Sequence, residues 1–175
     1  MGPNARALLQ SLTPNDISNE AFPFGTSKII EVGPTRIRAT RITYVGELGY
    51  ELYIPTEFAA GLFDLIMDKG RVHGLKLAGY HAMNSLRMEK AYRHWSHDIT
   101  PEDSPLEAGL GFCVAWDKKG GFTGRDALLK QREQGITRRL AQFLISDPDA
   151  MLYHDEPIWR DGKRISHLTS TMYGY

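Results

Sequence analysis

Between Lys28 and Ile54 the chain reads as three short strands punctuated by glycine, and that rhythm leaves no room for a helix there. Lys28–Val32 and Arg36–Tyr44 are the first two, with Gly33-Pro34-Thr35 between them. In the second, Ile37, Ala39 and Arg41 face one way, while Arg36, Arg38, Thr40 and Ile42 face the other. The glycine-flanked turn Val45–Gly49 leads to the third, Tyr50–Ile54. Helical spacing surrounds this block. Asn4–Leu12 puts Ala5, Leu8, Leu9 and Leu12 on one face. Pro55-Thr56-Glu57 opens a longer helix with Thr56 as N-cap, Phe58, Leu62, Leu65 and Ile66 as its buried stripe, and Gly70 as C-terminal cap. Tyr80–Tyr92 has helical spacing through Met83, Leu86 and Met88.

Further on, Leu75–Ala78 and Leu110–Trp116 read as apolar strands, and Arg125–Arg132 as a helix ending near Gly135. Beyond Gly135 the texture changes to β only: Arg139–Ile145, then Pro157–Arg160, the hairpin dipeptide Asp161-Gly162 and a return strand Arg164–Thr171. The expected organisation is an α+β domain over 1–135 and the beginning of a small β domain over 136–175. The chain has 175 residues, 42% of them hydrophobic, enough for one sizeable core or one domain plus part of a second. Its 21 basic and 21 acidic residues cancel, which excludes an electrostatic footprint for nucleic acid or an anionic membrane. Cys113 is the only cysteine, so an intramolecular disulfide is impossible and a reducing compartment fits, bacterial cytoplasm or mitochondrial matrix. Its place in the Leu110–Trp116 run predicts a buried, inert thiol.

Four stretches could carry chemistry. Thr43-Tyr44-Val45-Gly46-Glu47-Leu48-Gly49-Tyr50-Glu51 crowds two carboxylates and two tyrosines onto one turn. Glu51 starts a strand and can point inward, where a carboxylate needs paired donors. The N3–H and 2-amino group of a pterin form such a fork. On residue types alone, a plain hairpin with solvated glutamates is the commoner outcome. Asn84–Lys90 puts Arg87 and Glu89 on the polar side of a helix, where an exposed charge cluster is the plainer reading. Tyr92–Ile99 holds His94, His97 and Asp98, a conceivable metal trio that lacks a spaced further ligand, and Trp95, which could stack on a ring. Asp103–Leu110 reads as a rigid connection entering a strand. No glycine-rich phosphate loop and no Gly-x-Ser-x-Gly elbow occurs.

These stretches occur in one order: Gly2-Pro3-Asn4-Ala5, Tyr44–Glu51, Leu86-Arg87-Met88-Glu89-Lys90, Ser104–Leu110 and Phe122–Leu128. The ordered set resembles the aminomethyltransferase family, the T-proteins of glycine cleavage and their relatives, over essentially the whole chain. Arg87–Trp95, Ser104–Leu110 and Glu156–Lys163 look most like the C-terminal half of sarcosine and dimethylglycine dehydrogenases. The resemblance implies a folate-binding domain of ferredoxin-like βαββαβ elements followed by the start of a β-barrel. It implies tetrahydrofolate as cofactor, FAD on an upstream domain, and a one-carbon unit from a methylated amine captured as 5,10-methylenetetrahydrofolate. By the same resemblance the folate site includes Tyr44, Glu51 (rather than Glu47), Arg87 and, in place of a tyrosine, Trp95. T-proteins carry an arginine where this chain has Met83, which puts in doubt any contact made from that position. The family's catalytic aspartate falls upstream of Gly2, so no catalytic residue and no metal ligand is expected here, and the chain is expected to be an inactive fragment. A non-catalytic regulatory protein on the same fold, or a stand-alone T-protein, is the alternative.

Overall fold

The computed structural model describes residues 1–173. It is α+β, with α1 (Ala5–Gln10), β1 (Ser27–Val32), β2 (Thr35–Thr40), β3 (Glu51–Tyr53), α2 (Thr56–Gly70), α3 (Tyr80–Glu89), α4 (Arg125–Gln134), β4 (Pro157–Arg160) and β5 (Lys163–His167) in chain order. Two compact units divide at Tyr92/Arg93.

The first unit, Met1–Tyr92, is built on a three-stranded antiparallel sheet in the order β1-β2-β3. Ile30, Val32, Ile37 and Ala39 are buried on one face of it. They pack with Leu9 and Leu12 at the end of α1, with Ile17 and Phe22 from the connecting loop, and with Leu62 of α2. The alternation expected for β2 holds: Ile37 and Ala39 are buried, Arg36 and Arg38 exposed. Gly33 makes the β1–β2 turn with φ +56°, a conformation that costs a side-chain-bearing residue about 1 kcal/mol.

The helices differ from expectation at their ends and faces. Pro55, not Thr56, precedes α2, and no side-chain cap bond forms. Gly70 stays helical because a short 3-10 turn, Arg71–His73, continues the chain, and the left-handed residue is Gly74. Phe58 is exposed, so Leu62 with the half-buried Leu65 and Ile66 forms the packing stripe. In α3 the expected stripe through Leu86 is rotated by one residue: Leu86 is exposed and Arg87 is buried. Leu75–Ala78 is irregular rather than a strand.

Helix α3 ends in a Schellman turn. Ala91 donates to the Met88 carbonyl at 2.8 Å and Tyr92 to the Arg87 carbonyl at 2.9 Å. That geometry needs a left-handed residue at the position after the cap, and Ala91 sits there at φ +55°. Alanine has no glycine-like freedom at positive φ, so the turn is strained.

The second unit, Arg93–Tyr175, has little apolar core. Among the described residues, Ala108 is its one buried apolar side chain. Polar braces hold it. Ser104 and Glu107 form a reciprocal capping box: the Glu107 amide donates to Ser104 Oγ at 3.2 Å, and the Ser104 amide to Glu107 Oε2 at 2.9 Å. Arg138 reaches Asp103 at 2.9 Å and Glu107 at 3.6 Å. Leu110–Trp116 is not a strand. Gly111–Cys113 is a 3-10 turn and Cys113 is exposed, because the capped turn before it directs the chain back on itself through the Leu110 amide and the Pro105 carbonyl at 2.7 Å. Gly135 ends α4 at φ +81°, and Asp161-Gly162 closes the β4–β5 hairpin with both residues at positive φ. The stretch Arg139–Ile145 forms no strand.

Two outcomes follow. Ala91→Gly relieves the left-handed strain and raises unfolding stability by about 1 kcal/mol in urea titrations. The Ser104 amide and hydroxyl hold the Glu107 carboxyl below its ordinary value, with Arg138 adding to the effect. Its stabilising contribution is therefore present above the unfolded-state pKa and is lost as pH falls through the lower folded value. Glu107→Gln flattens the acid limb of the thermal-midpoint profile measured against pH.

Candidate functional site

The turn between β2 and β3, residues 41–50, is assembled by close approaches that glycine alone permits. A Cβ on Gly46, at φ +75°, would lie 2.6 Å from Cγ of Lys90. A Cβ on Gly49 would lie 2.4 Å from Cγ of Met1, and beside it the Gly2 amide donates to the Leu48 carbonyl at 2.8 Å. The first glycine thus lets the end of α3 close over the turn, and the second lets the N-terminal segment lie against it.

The two tyrosines of the turn diverge. Tyr50 joins the core edge, its ring 5.6 Å from Phe22 and its hydroxyl 3.3 Å from Arg6 Nε. Tyr44 is half-buried, with its ring 6.2 Å from that of Tyr92 at an interplanar angle of 48°. The sequence contains no spacing that links Tyr44 to Tyr92; only the packing of α3's end on the turn brings them together.

Glu51 opens β3 opposite Thr40. Leu52, paired with the buried Ala39, takes the core-facing position. Glu51 therefore stands half-buried on the opposite face of the sheet, with Thr40, Arg38 and Tyr53, and does not point into the hydrophobic core. Its Oε2 accepts the Tyr53 hydroxyl at 2.8 Å. That hydrogen bond, and then the negative charge itself, push the Tyr53 phenol above its ordinary value. Glu47, by contrast, is exposed in the turn.

Arg87 is not in a solvated charge cluster. It is 2% exposed, donating from Nε to Asn84 Oδ1 at 2.8 Å and from Nη1 to the Tyr92 carbonyl at 3.1 Å. A buried guanidinium without such acceptors would cost several kcal/mol, on the order of the penalty for an unpaired charge. Those two acceptors make it a clamp on the Schellman turn. Glu89 is exposed.

Tyr44, Glu51 and Arg87 all belong to the first unit; Trp95 belongs to the second. Trp95 is 58% exposed on a small loop closed by the Ser96 amide to the Ile99 carbonyl at 2.8 Å. In that loop His94 and His97 stack at 4.7 Å, while Asp98 accepts the His94 amide at 2.9 Å and the Thr169 hydroxyl at 2.6 Å. One Asp98 oxygen thus closes the loop and the other ties it to Thr169, and no group of three His, Cys, Asp or Glu disposed to hold a metal occurs among the described residues. No helix among them is long and apolar enough to cross a membrane.

The structure gives an α+β frame with a half-buried carboxylate and tyrosine at the β2–β3 turn, and sequence comparison defines the family. The GCVT N-terminal domain matches residues 1–118, and the glycine cleavage T-protein C-terminal barrel domain matches residues 138–175. The chain belongs to the glycine cleavage T-protein family. It is 44% identical over 174 residues to human mitochondrial sarcosine dehydrogenase, covering 99% of this chain and 19% of that protein. It is 42% identical over 175 residues to 4-methylaminobutanoate oxidase (formaldehyde-forming) of Paenarthrobacter nicotinovorans, covering 100% of this chain and 21% of the oxidase. An aminomethyltransferase of Caldanaerobacter subterraneus is 37% identical over 169 residues, 97% of this chain and 44% of that protein. The chain spans about a fifth of the length of the first two relatives.

The Tyr53–Glu51 bond has a spectroscopic consequence. Because the folded phenol titrates above its unfolded value, its stabilisation is complete below the unfolded pKa and is lost as pH rises through the folded one. Glu51→Gln shifts one tyrosine back toward the ordinary range in an absorbance titration of tyrosinate. An unchanged curve would mean that the Tyr53–Glu51 bond does not persist in solution.

Proposed function

We propose that this chain is the folate-binding part of a flavin-dependent enzyme of the sarcosine and dimethylglycine dehydrogenase kind, which transfers a one-carbon unit to tetrahydrofolate. The observation that carries the reading is Glu51: a half-buried carboxylate held off the apolar core, on the family's turn beside Tyr44. Higher identity to the sarcosine dehydrogenase and the oxidase than to the aminomethyltransferase supports the dehydrogenase branch. Bacterial cytoplasm or mitochondrial matrix is the setting that fits.

The residues present fit a pterin. Its N3–H and 2-amino group are two parallel donors. Glu51 Oε1 accepts no hydrogen bond among the described residues, and Oε2 accepts one, from Tyr53, so both oxygens retain accepting capacity. Glu51 would orient the ring by taking both donors. Tyr44 would pack on a face of it and Arg87 would hold the framework behind the turn, while Trp95, on the second unit, keeps the role of a folate-domain aromatic that the family resemblance implies. Tetrahydrofolate, when bound, supplies the amine nitrogens that capture the one-carbon unit, giving 5,10-methylenetetrahydrofolate. The contribution of these residues is position and electrostatics. The acid–base group of that chemistry and the flavin belong, on this reading, to parts of a longer protein.

Two structural expectations belong to the same reading. A ferredoxin-like βαββαβ arrangement is the family's expected frame; the first unit itself has three consecutive strands in the order β1-β2-β3 between α1 and α2, so that frame would need strands besides these. A domain boundary near Gly135 fits the interval between the two matched family domains, residues 119–137, although the compact units divide earlier. The exposed Phe112, Leu144, Trp159 and Ile165 of the second unit are the apolar surface that such a longer protein would cover.

Calorimetric titration of the full-length protein with 5-formyltetrahydrofolate, an oxidatively stable folate, tests the reading. Loss of the charged acceptor in Glu51→Ala weakens binding on the order of 10- to 100-fold, since hydrogen bonds to charged groups are worth about 1.5–3 kcal/mol. Unchanged affinity would remove Glu51 from the site.

A further inference from the structure

The end of α3 contains a device that the folate reading leaves unused. Tyr92 is the last residue of the Schellman turn, and three separate features fix the backbone from which its ring projects. Ala91 is held at φ +55°, a strained conformation for a residue with a Cβ. Arg87, almost wholly buried, spends its Nη1 donor on the Tyr92 carbonyl at 3.1 Å. The stem of the next residue but one before Tyr92, Lys90, lies against Gly46, so the turn carrying Tyr44 and the turn carrying Tyr92 are locked together. The outcome is a tilted pair of rings, Tyr44 and Tyr92, 6.2 Å apart at 48°.

A tyrosine serving as core filling would be buried; Tyr92 remains 36% exposed. A surface tyrosine of no consequence would not need a strained backbone and a buried guanidinium behind it. Two rings meeting at an angle form a corner whose open side accepts a flat apolar or heteroaromatic group, stacked on one ring and meeting the other with its edge. Strain and desolvated charge concentrated behind an exposed aromatic corner are characteristic of a surface kept in place for a ligand.

We propose that Tyr92 is a further binding residue of this site and forms, with Tyr44, an aromatic corner that takes the planar ring of the folate. This rests on the folate reading and extends it to a residue that neither the sequence nor the family resemblance assigned to the cofactor. The hydroxyl is not required by the geometry, since the ring–ring contact is the feature that defines the corner; the ring is.

The test is affinity of the full-length protein for 5-formyltetrahydrofolate by calorimetry, with Tyr92→Phe, Tyr92→Leu and Tyr92→Met, alongside Glu51→Ala and the unsubstituted protein. Tyr92→Leu and Tyr92→Met are both apolar and ringless but differ in shape and flexibility, so one of the two is available should the other fold poorly. Stacking on an aromatic residue is worth about 1–3 kcal/mol, so loss of the ring weakens binding on the order of 10-fold, whereas Tyr92→Phe changes it by less than about 2-fold. Thermal midpoints of the variants, measured without ligand, separate lost stacking from lost structure. If the unsubstituted protein binds and Glu51→Ala weakens it while Tyr92→Leu and Tyr92→Met bind as tightly as before, the aromatic corner is overturned and the folate reading survives. If the unsubstituted protein binds no folate, both fall together.

Discussion

The register between β2 and β3 is the constraint on which the rest of this site depends. Ala39 faces Leu52 on the core side, so Thr40 and Glu51 are obliged to face each other on the other side. Side chains alternate with a period of two, and a slip of one residue would swing Glu51 into the apolar cluster of Ile30, Val32 and Ile37. Burying an unpaired carboxylate there would be far more costly than exposing Leu52, so the core itself enforces the position of the acid. The three-residue strand β3 can be this short because the longer β1–β2 pairing beside it already carries the sheet.

A second layer of order comes from Arg87. Charged side chains are seldom fully buried, and one that is must be hydrogen-bonded. By donating to Asn84 within the helix and to the Tyr92 carbonyl beyond it, Arg87 makes the helix end and the following turn one body. Gly46 then allows the Lys90 stem to close on the β2–β3 turn. The strand side and the helix side of the site are thereby coupled through local contacts within the first unit. The second unit works differently: with Ala108 as its one buried apolar side chain among the described residues, it relies on the Ser104–Glu107 box and on Arg93 and Arg138.

Much of this was legible beforehand, and the misreadings share a cause. Strands β1 and β2, helix α4 and the Asp161-Gly162 hairpin follow from local pattern and turn chemistry, which depend on near neighbours in sequence. Leu110–Trp116 looked like a buried strand because its residues are apolar, yet the capped turn at Ser104–Glu107 leads into a 3-10 turn and leaves Cys113 exposed. Arg87 looked solvated because residue type is a guide to average burial and not to hydrogen-bond partners; its acceptors at Asn84 and Tyr92 reverse that. Gly70 looked like a helix stop because the following 3-10 turn, which moves the stop to Gly74, has no strong sequence signature.

The sequence by itself determined the α+β character, the family, and Tyr44, Glu51, Arg87 and Trp95 as the residues to examine. These rest on ordered motifs and on short-range periodicity, both of which are written in neighbouring residues. Only the tertiary structure decided that Glu51 stands off the core face, that Tyr50 belongs to the core edge while Tyr44 does not, and that Tyr92 meets Tyr44. Those outcomes depend on strand register and on the packing of a helix end against a turn almost fifty residues away in the chain. Contacts of that kind are selected by the summed burial of the whole unit, and no local stretch of sequence contains that sum.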